Sequence, residues 1–287
     1  MSSYGTVSTA SSSKSLALIA GSTQMPRVVA AEAQAQGLKV IAIAIEGVTE
    51  PAIGDVVDQV HWLQWGDVSG FLSLLGKFRS GGITQAAMAG KVEQKRIYDA
   101  DAPEGLKSML ASVPIRHTDA LINAVVKLLS GAGIELLKST DFLQNHIVKE
   151  GTLTRRAPDD REKEDIAHGW TVAKELGALD IGQSVVVKDR AVVAVEAMEG
   201  TDECLLRARD LAGDGSVLVK VGKPGQDLRF DVPVVGASTI SAMFANGMSA
   251  LCVEADLTVL LDAQQFRQEA DSAGIAVVAR KQDKVCE

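Results

Sequence analysis

Leu16-Ala17-Leu18-Ile19-Ala20-Gly21-Ser22-Thr23-Gln24-Met25-Pro26 is the stretch on which the reading of this fold turns. Its apolar run has strand length, Gly21 interrupts it, and Pro26 suits a first helical position, where a missing amide costs nothing. The spacing predicts a helix over roughly Arg27 to Gln36, stopped by Gly37 as a left-handed cap. A near-continuous apolar strand from Lys39 to Ile45 follows. Together these form a βαβ unit, expected to cross over right-handedly.

Working outward, Val60 to Leu63 reads as a third short strand, and Phe71, Leu74, Leu75 and Phe78 repeat at helical spacing up to Gly81 and Gly82. Ile83 to Ala89 is a further strand ending in Gly90 and Lys91, and Asp119 to Ser130 is an amphipathic helix. Strands alternating with helices predict an α/β fold, with a Rossmann-like parallel sheet. Beyond about residue 140 the pattern changes. Thr152 to Asp165 is crowded with charge, and Pro158-Asp159-Asp160 reads as a helix start that complements the macrodipole. Ile166, Trp170, Ala173 and Leu176 make that helix's apolar stripe. Ser184 to Lys188 and Ala191 to Ala197, separated by Asp189 and Arg190, read as a hairpin. Helices near Ser238 to Ala245 and Gln264 to Ser272 alternate with strands at Ala250 to Val253, Val259 to Leu261 and Ile275 to Ala279. The expectation is a disordered tail over 1–14, an N-terminal Rossmann-like domain over 15–140, and a mixed α/β C-terminal catalytic domain over 141–287. The ligand cleft is expected between the two domains.

Composition narrows the function. The chain has 287 residues and a formal net charge of −8, which argues against nucleic acid as a partner. Hydrophobic content of 46% is that of a globular protein with a core. No stretch approaches the roughly 20 apolar residues of a membrane span. Residues 1–14 lack the basic start and apolar core of a secretory signal. Cys204, Cys252 and Cys286 have no metal-ligand spacing and are expected to be reduced thiols in the cytoplasm. His61, His117, His146 and His168 form no zinc motif, and no G-x-S-x-G elbow is present.

Gly21 with Ser22 and Gly90 with Lys91 fall at the carboxyl ends of expected strands, where open parallel sheets bind ligands. Close backbone approach and the helix start near Pro26 suit an anion, and a tight turn needing Gly for geometry alone explains the same residues. Neither the dinucleotide nor the Walker phosphate fingerprint is present. Glu196, Glu199, Thr201 and Asp202 cluster where a β segment meets a helix. Thr201 as an N-cap with acids in the first turn accounts for them, as would oxygen ligands for Mg²⁺ shared with phosphates. Lys220 to Gly236 packs Lys220, Lys223, Asp227, Arg229 and Asp231 among prolines and glycines. Its cations suit phosphates, and Asp231, flanked by Phe230, Val232 and Pro233, needs a metal or a lysine as partner.

Five ordered blocks carry a resemblance. They are Leu18-Ile19-Ala20-Gly21 with Pro26, Ala89-Gly90-Lys91-Val92, Leu179 to Val187, Ala194 to Asp202, and Lys223 to Gly236. Together they resemble the LpxI family of UDP-2,3-diacylglucosamine pyrophosphatases over nearly all the chain after the tail. The resemblance implies a hydrolase of lipid A biosynthesis that converts UDP-2,3-diacylglucosamine to 2,3-diacylglucosamine 1-phosphate and UMP. It implies Mg²⁺, with Mn²⁺ as an alternative, and a cytoplasmic enzyme peripherally associated with the inner-membrane surface, with homo-oligomerisation left open. Asp231 matches the family's essential aspartate, as metal ligand or as the group that orients water, and Glu199 is a further candidate metal ligand. Substrate contacts are expected from Gly21, Ser22, Gln24, Gly90, Lys91, Thr201, Asp202, Lys220, Lys223, Gln226 and Arg229. Two other readings remain: a sugar-nucleotide binding module without hydrolysis, and an NAD-linked dehydrogenase.

Overall fold

The computed structural model of the chain describes residues 14–91, 107, 118–229 and 231–282. The tail over 1–13 and expectations resting on Val92, His117, Phe230 and Cys286 lie outside the described residues. The N-terminal lobe follows the expected alternation: β1 (Ser15–Ala20), α1 (Met25–Ala35), β2 (Lys39–Ile45), β3 (Gln59–Leu63), α2 (Val68–Ser80), β4 (Gln85–Ala89), α3 (Thr118–Gly131) and β5 (Glu135–Leu136). Its five strands are all parallel in the order β3-β2-β1-β4-β5, so β1 and β4 are central neighbours. Their apolar runs are buried because helices cover a parallel sheet. Met25, Pro26, Val29, Ala30 and Ala33 form the buried face of α1, and its small alanines let the helix approach the strands.

The C-terminal lobe begins with β6 (Gly151–Thr152) and α4 (Asp160–Ala178). A reciprocal capping box starts α4: Asp159 accepts from the Glu162 amide at 2.7 Å, and Glu162 accepts from the Asp159 amide at 2.9 Å. Then come β7 (Ser184–Lys188), β8 (Ala191–Val195), α5 (Thr201–Ala212), β9 (Ser216–Lys220), β10 (Val234–Val235), α6 (Ala237–Ala245), β11 (Met248–Glu254), β12 (Val259–Leu260), α7 (Ala263–Ala273) and β13 (Ala276–Arg280). The large sheet runs β6-β13-β11-β9-β7-β8, parallel at its centre and antiparallel towards both edges. The central strand β9 is not among those expected from sequence.

The β7–β8 turn places Asp189 at φ 51° and Arg190 at φ 61°, left-handed conformations that fit a two-residue hairpin but cost an ordinary side chain energy. Buried Asp165 offsets that cost by accepting from the amides of Asp189 at 3.2 Å and Arg190 at 2.6 Å. Asp165→Ala is therefore expected to lower unfolding free energy by about 1–3 kcal/mol, as measured by urea denaturation, because both amides lose their acceptor. An unchanged midpoint would refute this.

The lobes share an apolar seam. Phe142, Leu143, Val259 and Leu261 are buried in one cluster with Leu16, Val29 and Ala33, and Val232 and Val234 pack against it. His146 Nε2 lies 2.9 Å from Glu32 Oε1 of α1, fixing the connecting segment to the N-terminal lobe.

Candidate active site

Gly21 and Gly90 sit at the carboxyl ends of neighbouring β1 and β4, and their loops touch. The Ser22 amide and hydroxyl donate to the Lys91 carbonyl at 2.9 and 2.8 Å, and the Lys91 amide donates to the Ser22 carbonyl at 3.2 Å. A Cβ on Gly21 would stand 2.8 Å from the Lys91 carbonyl oxygen. Gly90 has φ +92°, and a Cβ there would overlap the Ser22 carbonyl. These glycines are needed for close approach of two backbones, which presents Lys91 to the other lobe. The Lys91 ammonium lies 3.1 Å from where a Cβ on Gly200 would be.

There Lys91 meets a polar cluster at one end of the second sheet. The Lys220 ammonium donates to Thr201 Oγ1 at 2.9 Å, and that hydroxyl donates to Glu196 Oε1 at 2.8 Å, with Ser184 Oγ 3.5 Å from it. Thr201 is therefore the first residue of α5 and not its cap. Gly200, at φ +88°, occupies the cap position, and the threonine side chain turns inward to the buried ions instead. Glu196 and Lys220 are each 8% exposed. Burial is the largest influence on Glu196 and pushes its carboxyl up, but the charge of Lys220, the hydroxyls of Ser184 and Thr201, and the charge of Lys91 together hold it below the ordinary glutamate value.

A second group lies along the loop that leaves β9. A cavity of about 240 Å³ is lined by Gly177, Ala178, Asp180, Asp231 and the run from Lys223 to Asp227. The Lys223 ammonium donates to Asp180 Oδ1 at 2.6 Å, and the Lys223 amide donates to Gln226 Oε1 at 2.9 Å. Arg229 grips Asp227 through Nε at 2.9 Å and Nη2 at 2.6 Å. The Arg229 bonds, with the more distant charge of Lys138, hold the Asp227 carboxyl below its usual range. The Asp231 amide donates to the Asp227 carbonyl at 2.9 Å, and the Asp231 side chain is half-buried in the cavity wall. From Asp231 the chain runs directly into the interlobe seam through Val232 and Val234. The steps from Lys220 to Lys223 and from Asp180 to Ser184 join the two groups.

The structure thus gathers Lys91, Thr201 and Lys220 in one group and Lys223, Gln226, Arg229 and Asp231 in the other, with Gly21, Ser22 and Gly90 supporting Lys91. Gln24 and Asp202 are exposed. Glu199 does not join Asp231 in the cavity lining. Its carboxylate pairs with Arg207 and accepts from the Ala197 amide at 3.1 Å. Among the described residues no group of three or more His, Cys, Asp or Glu forms a metal cage. Asp180, Asp227 and Asp231 line one cavity, but Lys223 pairs with Asp180 and Arg229 with Asp227, so an ion bound there would have to draw on Asp231 and on the phosphates of a substrate. Every residue lining this cavity belongs to the C-terminal lobe, while the N-terminal lobe contributes the charge of Lys91 to Glu196 and that of Lys138 to Asp227. Sequence reasoning passed over Ser184 and Lys138, since an isolated serine at a strand start and a lysine in an irregular segment carry no motif. Burial pushes the thiols of Cys204 and Cys252 up to about 12, which removes them from chemistry near neutral pH.

Cations and carboxylates gather near strand ends in a protein of two α/β lobes, the region where open α/β sheets hold their ligands. Family models described as the LpxI N-terminal domain and the LpxI C-terminal domain match residues 15–146 and 149–278. The chain belongs to the LpxI family. UDP-2,3-diacylglucosamine pyrophosphatase LpxI of Caulobacter vibrioides is 29% identical over 277 residues, covering 92% of this chain and 97% of that protein. The bifunctional purine biosynthesis protein PurH of Bradyrhizobium diazoefficiens is 30% identical over 207 residues, covering 68% of this chain but 36% of that protein. Glycinamide-RNase-transformylase T from Mycobacterium tuberculosis, a solved structure, aligns at 14% identity over 64% of this chain and 44% of its own. Its TM-score of 0.23 is too low to bear on the fold.

Proposed function

We propose that this chain hydrolyses the pyrophosphate bond of UDP-2,3-diacylglucosamine, giving 2,3-diacylglucosamine 1-phosphate and UMP, a step of lipid A biosynthesis. The observation that carries this reading is the placement of Asp231 in one cavity wall with Lys223, Gln226, Asp180 and Asp227, in a chain whose two halves both match the LpxI family. Pyrophosphate cleavage asks a protein mainly to position the phosphates and to stabilise charge spreading over their oxygens. Lys223, and beyond it Lys220 and Lys91, supply positive charge from fixed backbone positions. Asp231 orients the attacking water or holds the metal, with Asp180 and Asp227 beside it. When bound, Mg²⁺ would neutralise phosphate charge.

The substrate's acyl chains imply contact with the inner-membrane surface from the cytoplasmic side, with the protein peripheral. No helix among the described residues is long and apolar enough to cross a membrane. Incubation of the purified chain with UDP-2,3-diacylglucosamine and Mg²⁺ is expected to yield equimolar UMP and lipid phosphate. Tight binding without product would favour the non-hydrolytic sugar-nucleotide module instead. Excess chelator is expected to lower turnover by about a hundredfold or more, with recovery on adding Mg²⁺. Undiminished hydrolysis in chelator would remove the metal from the reading.

A further inference from the structure

The loop that carries Lys223, Gln226, Asp227 and Asp231 begins at Gly222, immediately after the buried Val221. The far end of this loop is fixed by Val232 and Val234 in the interlobe seam, but its first residues, Gly222 to Asp227, offer little apolar surface, so something else must set its starting direction. Two facts stand at its root. Gly222 is closely surrounded: a Cβ there would overlap a Leu257 methyl and stand 2.9 Å from Gln226 Oε1, so any side chain would have to displace both. Its amide also donates to Glu254 Oε2 at 2.7 Å.

Glu254 ends β11 and is 5% exposed. The Lys174 ammonium of α4 contacts both its carboxylate oxygens at 2.6 Å and reaches the Gly222 carbonyl at 3.4 Å. Lys174 lies 5.5 Å from the centre of the Trp170 ring, and Arg280 of β13 lies 5.0 Å from it. The same α4 reaches the cavity wall through Gly177 and Ala178, where a Cβ on Gly177 would lie 3.4 Å from Lys223 Cα. One carboxylate thus ties strand, helix and loop together at Gly222, the residue next to the cavity-lining Lys223.

We propose that Glu254, held by Lys174, is a positioning residue for the hydrolysis: it fixes Gly222 and thereby the placement of Lys223, Gln226 and Asp231 around the phosphates. This rests on the assignment of the Asp231 cavity as the active site. Its sequence signal is weak, since a glutamate at a strand end and a lysine in mid-helix attract no motif.

Removing Glu254 alone would leave the largely buried Lys174 ammonium without its carboxylate, and the protein would be destabilised for that reason alone. The test therefore compares two double variants, each free of the buried ion pair: Lys174→Met with Glu254→Gln, and Lys174→Met with Glu254→Leu. Glutamine keeps an oxygen for the Gly222 amide, and leucine does not. The leucine double is expected to show a kcat at least about tenfold below that of the glutamine double, with KM within about threefold, because misplacement of catalytic groups acts on the transition state. Assays run well below both Tm values, with matching circular dichroism, make the ratio a property of folded protein. Equal kcat values in the two doubles would overturn the positioning role. Failure of wild-type protein to release UMP in the same assay would instead overturn the active-site assignment, and amide exchange across residues 221–231 would still report the anchor. Faster exchange in the leucine double supports it, and identical exchange overturns it.

Discussion

Asp231→Ala is expected to reduce hydrolysis of UDP-2,3-diacylglucosamine by about a thousandfold or more while the fold and lipid binding persist. The asymmetry follows from placement. Asp231 is half-buried in the cavity wall, and its amide, which the substitution leaves in place, makes the 2.9 Å bond to the Asp227 carbonyl that holds the loop. Truncating a half-exposed carboxylate removes little packing, so the loss of turnover should far exceed any loss of unfolding free energy. What disappears is an acid that lines the cavity directly beside the interlobe seam, and with it a group able to orient water or hold a metal. The measurements are steady-state turnover, thermal unfolding, and binding of the lipid phosphate product. Full activity in the variant would reject the role given to Asp231.

Lys220→Met is expected to cost stability rather than spare it, by about 3 kcal/mol at neutral pH. Lys220 supplies the main opposing charge to buried Glu196 and a hydrogen bond to Thr201. In the wild-type fold the Glu196 carboxyl is held below its ordinary value, so its charge contributes stability above the unfolded-state pKa. That contribution is lost as pH falls through the folded-state value. Without Lys220, burial dominates and the folded-state pKa rises above the unfolded one. The variant is then penalised wherever Glu196 is ionised and is relieved as it protonates. The stability gap between wild type and variant should therefore be widest near pH 7 and narrow towards about pH 4. Urea titrations across that range give the answer. A gap of constant size would mean that Glu196 is not the group responsible.

Much of the architecture could be read directly. The run Leu16 to Ala20, the break at Gly21 and the restart at Lys39 are local signals, and β1, α1 and β2 fall where their periodicity puts them. The β7–β8 hairpin was equally plain, because two β-rich runs separated by two residues leave few alternatives. β9 carries a weaker signal although Val217, Leu218 and Val219 are fully buried, since three apolar residues between a serine and a lysine beside a charged loop are easily absorbed into the loop. Thr201 shows the opposite failure. A threonine before two acids is a sound cap by local rules, yet Gly200 takes the cap because burial of Glu196 and Lys220 demands the hydroxyl as a bridge.

The order of chemical types along this chain was enough to determine alternating strands and helices, two α/β lobes, and a charged loop that holds Asp231, because periodicity and turn chemistry act between near neighbours. Which of those charges meet was decided only by tertiary structure. Lys91 reaches Glu196 because two glycine-rich turns on β1 and β4 interlock. Glu199 is drawn away to Arg207, and Glu254 and Lys174 close on Gly222. Apart from Glu199 and Arg207, which lie close in sequence, such contacts join residues dozens of positions apart. Their energies depend on burial and distance, and neither exists until the sheets are assembled.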